Sequence, residues 1–477
     1  MLKVLLWPLI VAFVLSLFPK SKKSWAQWTN LLLHLPWILF LLALVKVTPL
    51  QGAPFGLFES YATLPVFKSL IALGADTLNV SLVALTLFLS FSLSLYFIGH
   101  EKISVSFLVF FHLLNFGTVG SLLAADAFLF YVFWEFMLIP LFFLIGIWGS
   151  ENRVYAALKF FAMTLAGSLA LLAAIFFISS MPEVASLEWT QIRAQSGLIS
   201  QHPWIIWAFL VAFLVKVPVW PLHTWLPDAH TEAPTAISVM LAGVLLKLGV
   251  YGMLRWCLQL FPEMYWSTSD ILFVAGLVGI ILGSYGALRQ TDIKRMIAYS
   301  SVAHLGFIVI GITSTSAAAQ SGAFFQNFAH GLSTGLLFLC FGMIYDRTHS
   351  RKLADYGGLA TSNRFLAFTF VFAAMASVGL PGLPGFIGEF LILSGTFYQR
   401  GLWVLIPLMG VLLGALYTLP LVKGLVFGKV SPLVESHPLK LKWNEVLALL
   451  PYLVGLVVLG LLPQILLNWT QGSIPVR

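Results

Sequence analysis

Charge is what this sequence has least of. Only 9% of its 477 residues are Asp, Glu, Lys or Arg, where an average soluble domain carries about 25%. With 60% hydrophobic residues and a mean hydropathy of +0.95, the chain cannot clothe an ordinary water-exposed surface, and it reads as a polytopic membrane protein. Cysteine is almost missing too: Cys257 and Cys340 stand alone in apolar segments, with no CxxC and no second pair. A Gly-rich nucleotide loop is also absent. The sequence therefore predicts no metal site, flavin, iron–sulfur cluster or quinone held by this chain. No segment is long or polar enough to be a soluble domain, so any catalytic domain that powers the protein is expected on another chain.

The basic balance, +8 with a pI near 9.4, is not a nucleic-acid signature. Lys and Arg lie scattered between apolar runs instead of forming a basic face interleaved with aromatics. What the chain does have is apolar sequence of membrane length. A span needs about 20 predominantly apolar residues, and fourteen stretches qualify. The first, MLKVLLWPLIVAFVLSLFPKSKK, has lysines after it where a signal peptide would have a small-residue cleavage site, so it is predicted to be retained. Connections are short except at residues 48–76, 181–202 and 428–445.

An even span count leaves both termini on one side. Seventeen Lys and Arg then fall in loops on the opposite side and seven on the terminal side, with Lys216 and Lys247 inside spans. The positive-inside rule places the lysine-rich loops in the cytoplasm and both termini outside, across a bacterial inner (plasma) membrane.

Four ionisable residues lie at membrane depth in separate spans: Glu135 in FLFYVFWEFMLIPLFFLIGIW, Lys216 in LVKVPVWPLHTW, Lys247 in VMLAGVLLKLGVYGML and Glu389 in GLPGLPGFIGEFLILSGTF. Each such group costs roughly 2.5–3.5 kcal/mol at the bilayer centre even on the lenient insertion scale. A Lys near a helix end often snorkels, and a buried pair can serve packing alone. A purely structural bundle, however, has cheaper glue in small residues and hydroxyls. Burial favours the neutral form of either group and pairing favours the charged form. A lysine that alternates between having a carboxylate partner and having none therefore binds and releases a proton.

Backbone breaks accompany these charges. Pro218, Pro221 and Pro227 each lack the N–H that would bond the carbonyl four residues back, and GLPGLPGFIG precedes Glu389. Opened backbone at membrane depth is tolerated only in a buried or wet setting, and two Gly/Pro-interrupted spans in corresponding positions point to inverted repeats. The predicted fold is all-α, a polytopic membrane protein of about 14 transmembrane helices with two inverted five-helix repeats, each with a broken helix. Its divisions are an N-terminal three-helix segment (1–104), a first repeat (105–260), a second repeat (270–430) and a C-terminal helix (440–477).

Histidines complete the candidate set. His223, two helical turns beyond Lys216, and the mid-span His304 and His330 are either hydrogen-bonded core residues or members of a proton relay, for which an ordinary pKa near 6.5 and two ring nitrogens suit them. Asp228 and His230 share the Lys216 stretch and are further candidates. The seven-residue spacing of His223 and His230 fits no HExxH-type metal site. His34 and His112 have no acidic neighbours and are predicted to be packing residues. Asp126 is either an N-cap for the Glu135 helix or a functional acid.

Four stretches carry a family resemblance: FWEF at Glu135, LVKVPVWPLHTWLPDAHTEAPT from Leu214, DIKRMIAYSSVAHLGF from Asp292 and LPGLPGFIGEF at Glu389. Together they resemble the antiporter-like proton-channel chains of respiratory complex I, the proton-translocating NADH:quinone oxidoreductase, over nearly the whole length. A glutamate rather than a lysine on the second broken helix, with no long C-terminal extension, is the pattern of one of the three such chains. The resemblance implies that Glu135 and Lys216 form the ion pair of a first half-channel, that Lys247 is the central relay and that Glu389 serves an exit half-channel. His223, His304 and His330 match the family's hydrated polar axis. It implies a proton-pumping membrane-arm subunit of a translocase, driven by redox energy from subunits that carry NADH, flavin, iron–sulfur clusters and quinone. Its implied partners are other membrane-arm subunits, including two further antiporter-like chains, together with membrane lipid and protons. The alternative within the same superfamily is the D-type subunit of a multisubunit Na+/H+ antiporter. Lys423, near the cytoplasmic end of its span, has no counterpart role and is placed to snorkel.

Overall fold

The computed structural model describes residues 1–48 and 54–470. Its N-terminal helices are α1 (Leu2–Ser16), α2 (Lys23–Leu32) and α3 (His34–Val47). Two strands follow, β1 (Leu57–Leu64) and β2 (Ser69–Ala75). Next come α4 (Thr77–Phe97), α5 (Val105–Leu123), α6 (Ala127–Phe136), α7 (Leu138–Trp148) and α8 (Arg153–Ser180). Two short helices, α9 (Trp189–Ala194) and α10 (Ser196–Ile199), lead to the interrupted pair α11 (Trp204–Lys216) and α12 (Trp225–Glu232). Then come α13 (Thr235–Met240), α14 (Leu246–Gly252), α15 (Pro262–Leu288), α16 (Ile293–Ile312), α17 (Ala317–Thr348) and the short α18 (Leu359–Ser362). The second interrupted pair is α19 (Arg364–Val378) and α20 (Pro384–Arg400), followed by α21 (Leu405–Val426), α22 (Pro432–Ser436), α23 (Trp443–Leu461) and α24 (Gln464–Thr470).

Eleven stretches among the described residues are long and apolar enough to cross a membrane, and three shorter apolar helices accompany them, α1, α11 and α19. The sequence reading counts fourteen. The three that differ are α1, which is only 15 residues long, α11, which stops at Lys216 short of a full span, and the span interrupted after α19, whose second part α20 runs with α21 as one stretch, Pro384–Val426. The hairpin also departs from the all-helical expectation. Leu57 lies opposite Ala75 and Leu64 opposite Ser69, antiparallel. Because β1 is exposed along nearly its whole length, no apolar alternation marks it in sequence.

Local chemistry explains where the helices start and stop. Asp76 opens α4 with a capping box: its carboxylate accepts from the Leu78 and Asn79 amides while Asn79 accepts from the Asp76 amide. The side-chain oxygens of Ser104, Asp126, Asp292 and Asn363 accept from first-turn amides of α5, α6, α16 and α19, without the reciprocal bond, satisfying amides that have no partner inside the helix. Helix α19 ends at Gly379, whose φ of +83° suits the residue without a Cβ. The amides of Gly379 and Leu380 both return to the Met375 carbonyl. Pro384 then opens α20, where its missing N–H is no loss.

The chain divides into two compact units. The first comprises Met1–Val217 and Val244–Ser269, the second Pro218–Gly243 and Asp270–Asn468. The chain thus passes from one to the other at the break after Lys216, and returns within a π-helical turn, Leu241–Leu245. A second π-helical turn, Met253–Leu258, closes the far end of α14. The whole stretch Thr235–Leu258 is buried, as expected of a helix apolar on every face.

Candidate functional site

In the first unit the approach of helices is set by glycine. A Cβ on Gly167 of α8 would stand 3.0 Å from Val215 Cγ2, and one on Gly249 of α14 would stand 2.6 Å from Val217 Cγ2 and 2.8 Å from the Phe213 carbonyl. Two small residues thus let α8 and α14 close on the end of α11, the close-packing device of membrane helices. That end is Lys216, buried to 1% exposure. Its Nζ lies 5.2 Å from the centre of the Trp134 ring and 5.6 Å from that of Phe160, two faces that attract a cation.

Glu135 follows Trp134 at the end of α6 and is half-buried, with Ser168 of α8 hydrogen-bonded to its carboxylate. The expected contact pair is not closed. Glu135 and Lys216 interact electrostatically, but Lys216 Nζ and Glu135 Oε1 have no hydrogen-bond partner among the described residues. The aromatic faces hold the cation in place of the carboxylate. Lys247 lies in α14, in the same unit, at 1% exposure.

In the second unit Glu389 anchors a polar cluster. Its Oε1 lies 3.1 Å from His304 Nδ1 and accepts from Gln326 Nε2 at 3.2 Å. His304 Nε2 meets Ser377 Oγ at 3.3 Å, and the His304 and His330 rings stand 5.6 Å apart. The break in the helix makes room for this. A Cβ on Gly388 would stand 2.2 Å from Gln326 Oε1, and one on Gly379 would stand 3.1 Å from Glu389 Oε2. His304, His330 and Glu389, chosen separately from three spans, are therefore neighbours.

The remaining candidates sit elsewhere. His223 lies 6.2 Å from the Tyr299 ring and His230 stacks on Phe338 at 4.7 Å. Asp228 pairs with Arg295 at 3.1 Å. A charged clasp surrounds the end of α12: Arg351 bonds the Thr231 carbonyl at 2.9 Å, Glu232 at 3.5 Å and Asp292 at 3.1 Å, while Lys294 Nζ donates to the Ala233 carbonyl at 2.9 Å. Burial pushes the Asp292 carboxyl up from 3.8, opposed by the Arg295 amide and the Arg351 charge.

Asp126 caps α6 and latches it to the hairpin. Its carboxylate accepts from the Phe128 and Leu129 amides at 3.0 Å, and from Ser69 Oγ at 2.7 Å and the Leu70 amide at 2.9 Å in the hairpin. Burial raises its pKa and these four bonds oppose the rise.

Sequence reasoning passed over Trp134, Ser168, Gln326, Ser377 and Arg351. Gln326 carried a usable signal, since it precedes His330 by four residues in an apolar span, which puts both on one helix face. Arg351 carried none: it is a loop residue whose partners Thr231, Glu232 and Asp292 come from two distant segments.

Two interrupted helices, each beside buried charge, in a polytopic helical chain define an ion-translocating membrane protein of the antiporter-like class. The chain belongs to the family described as NADH:quinone oxidoreductase/Mrp antiporter, transmembrane, which matches residues 124–416. It is 40% identical to NADH-quinone oxidoreductase subunit M of Rickettsia felis over 423 residues, covering 87% of this chain and 85% of that one. Among solved structures it is similar to a chain of respiratory complex I from Thermus thermophilus, with a TM-score of 0.85, 27% identity and 98% of each chain covered. It shares its fold with a chain of the Mrp complex from Dietzia at TM-score 0.85 and 19% identity, covering 98% and 96%.

Proposed function

We infer that this chain is the proton-pumping membrane-arm subunit of an NADH:quinone oxidoreductase, and that its buried Glu, Lys and His residues carry the proton. The observation that supports this most is Lys216, a buried cation at the open end of α11 held by aromatic faces within electrostatic reach of Glu135. Burial disfavours its ammonium and a nearby carboxylate favours it. Moving Glu135 towards Lys216 loads the lysine with a proton, and moving it away releases the proton to the next acceptor. Lys247 is that central acceptor, and Glu389 with His304, His330 and Gln326 forms the exit station. His223 serves as a further relay member, with Asp228 and His230 as additional candidates. The chain performs no redox step of its own; NADH, flavin, iron–sulfur clusters and quinone belong to other subunits, and their energy arrives as rearranged charge. The lysine-rich loops face the cytoplasm and both termini face outward.

The test is proton pumping by the intact complex in proteoliposomes. Lys216→Ala and Glu135→Ala are expected to abolish pumping in an assembled complex, with NADH oxidation lost as well if the two are tightly coupled. An assembled variant that pumps at the wild-type proton-to-electron ratio overturns the assignment.

A further inference from the structure

The N-terminal helices hold a second buried polar centre, away from the charged groups above. His34 of α3 and His112 of α5 lie with ring centres 5.5 Å apart, and Asn30 of α2 touches both. The Asn30 carbonyl lies 2.8 Å from His34 Nδ1. A carbonyl only accepts, so Nδ1 carries the proton, and in the neutral ring Nε2 is then a bare lone pair. Asn30 Oδ1 lies 2.6 Å from His112 Nε2, which by the same logic leaves His112 Nδ1 bare. One turn further along α5, Asn115 accepts from Ser90 Oγ through Oδ1 at 2.9 Å. Four atoms then remain with no partner among the described residues: His34 Nε2, His112 Nδ1, Asn30 Nδ2 and Asn115 Nδ2. All four side chains are at most 1% exposed.

Nearly all buried polar atoms in native proteins are hydrogen-bonded, so these four atoms together call for a further group that both donates and accepts. Two are acceptors and two are amide donors. Turning the Asn30 amide over changes nothing in the count: His112 Nδ1 becomes a donor and Asn30 Oδ1 an acceptor, still two of each. A cation would face the amide hydrogens head-on, and an anion the imidazole lone pairs. Water both donates and accepts, and a buried water needs two to four polar partners. We propose that α2, α3, α4 and α5 enclose a hydration site in which ordered water is bound by His34, His112, Asn30 and Asn115. It goes beyond the pumping assignment and does not depend on it.

A cryo-electron microscopy map of the intact complex in lipid nanodiscs, at a resolution that shows ordered water, tests this directly. The expected result is a density peak at hydrogen-bonding distance, about 2.7–3.2 Å, from both His34 Nε2 and His112 Nδ1, and loss of that peak in His112→Leu. An empty centre overturns the proposal, as do rotated side chains whose orphan atoms satisfy one another. If His112→Leu fails to assemble, the wild-type map decides alone.

Discussion

The Lys216 ammonium stands 5.2 Å over the ring of Trp134, the residue immediately before Glu135. One helix end of α6 therefore presents the lysine with two kinds of partner, a neutral aromatic face and a carboxylate, one residue apart. The aromatic face holds the lysine without closing the ion pair, and Ser168 bonds the carboxylate instead.

A desolvated cation–π contact is worth about 0.5–2 kcal/mol, which corresponds to roughly a 2- to 30-fold effect on a step that depends on it. Trp134→Leu keeps an apolar side chain and removes the ring with its charge distribution. It is expected to slow NADH-driven proton uptake into proteoliposomes within that range, with Trp134→Phe intermediate because tryptophan is the strongest of the three rings. Equal uptake in all three proteins would remove Trp134 from the switch.

At the second break, Glu389 accepts from Gln326 and lies against His304. A hydrogen bond to a charged group contributes about 1.5–3 kcal/mol. Glu389→Gln is expected to stop pumping with assembly retained, because the amide fits the space but carries no exchangeable charge. Gln326→Leu is expected to retain pumping at roughly a tenth or less of the wild-type rate, set by loss of that one bond. The comparison of proton uptake in the two variants separates the carrier from its support.

The broken helices and buried charges were legible because the bilayer makes them costly: Lys216, Lys247, Glu135 and Glu389 stand out against apolar sequence without any knowledge of contacts. The neighbours of those charges were not. Nothing in the spacing of His304, His330 and Glu389 places three spans side by side; only the packing of α16, α17 and α20 does. His34 and His112, read as packing residues for want of acidic neighbours, are buried as expected, but that Asn30 joins them was not legible in their spacing. The hairpin went unseen because β1 is exposed and lacks alternation.

Gly249 supports Lys216 by its lack of a side chain. An added Cβ would overlap Val217 and the Phe213 carbonyl, and overpacking of this kind costs about 1–3 kcal/mol. Gly249→Ala is expected to lower the thermal unfolding midpoint and reduce pumping together, since the end of α11 must shift. Gly146→Ala is the control: its Cβ would meet Ala157 at an ordinary 3.6 Å. A Gly249→Ala complex as stable and active as the Gly146→Ala one would show that α14 does not position the lysine.

Asp292 gives a pH dependence of unusual sign. Burial raises its pKa above 3.8, against the pull of the Arg295 amide and Arg351, so the folded chain binds this proton more tightly than the unfolded chain. Stability from this group is therefore greatest below 3.8 and declines as pH rises through the raised value, the reverse of an exposed, salt-bridged carboxylate. Asp292→Asn keeps the helix cap, for which Asn and Asp are equally suited, and removes the titration. At pH 7 it is expected to be at least as stable as the wild type, with the wild type gaining on it as pH falls towards 4. Asp292→Ala loses the cap and is expected to be less stable by about 0.5–2 kcal/mol. Unfolding midpoints of the three proteins measured from pH 4 to 8 decide the matter: a wild-type advantage over Asp292→Asn that grows with rising pH would mean that the Arg351 pair outweighs burial.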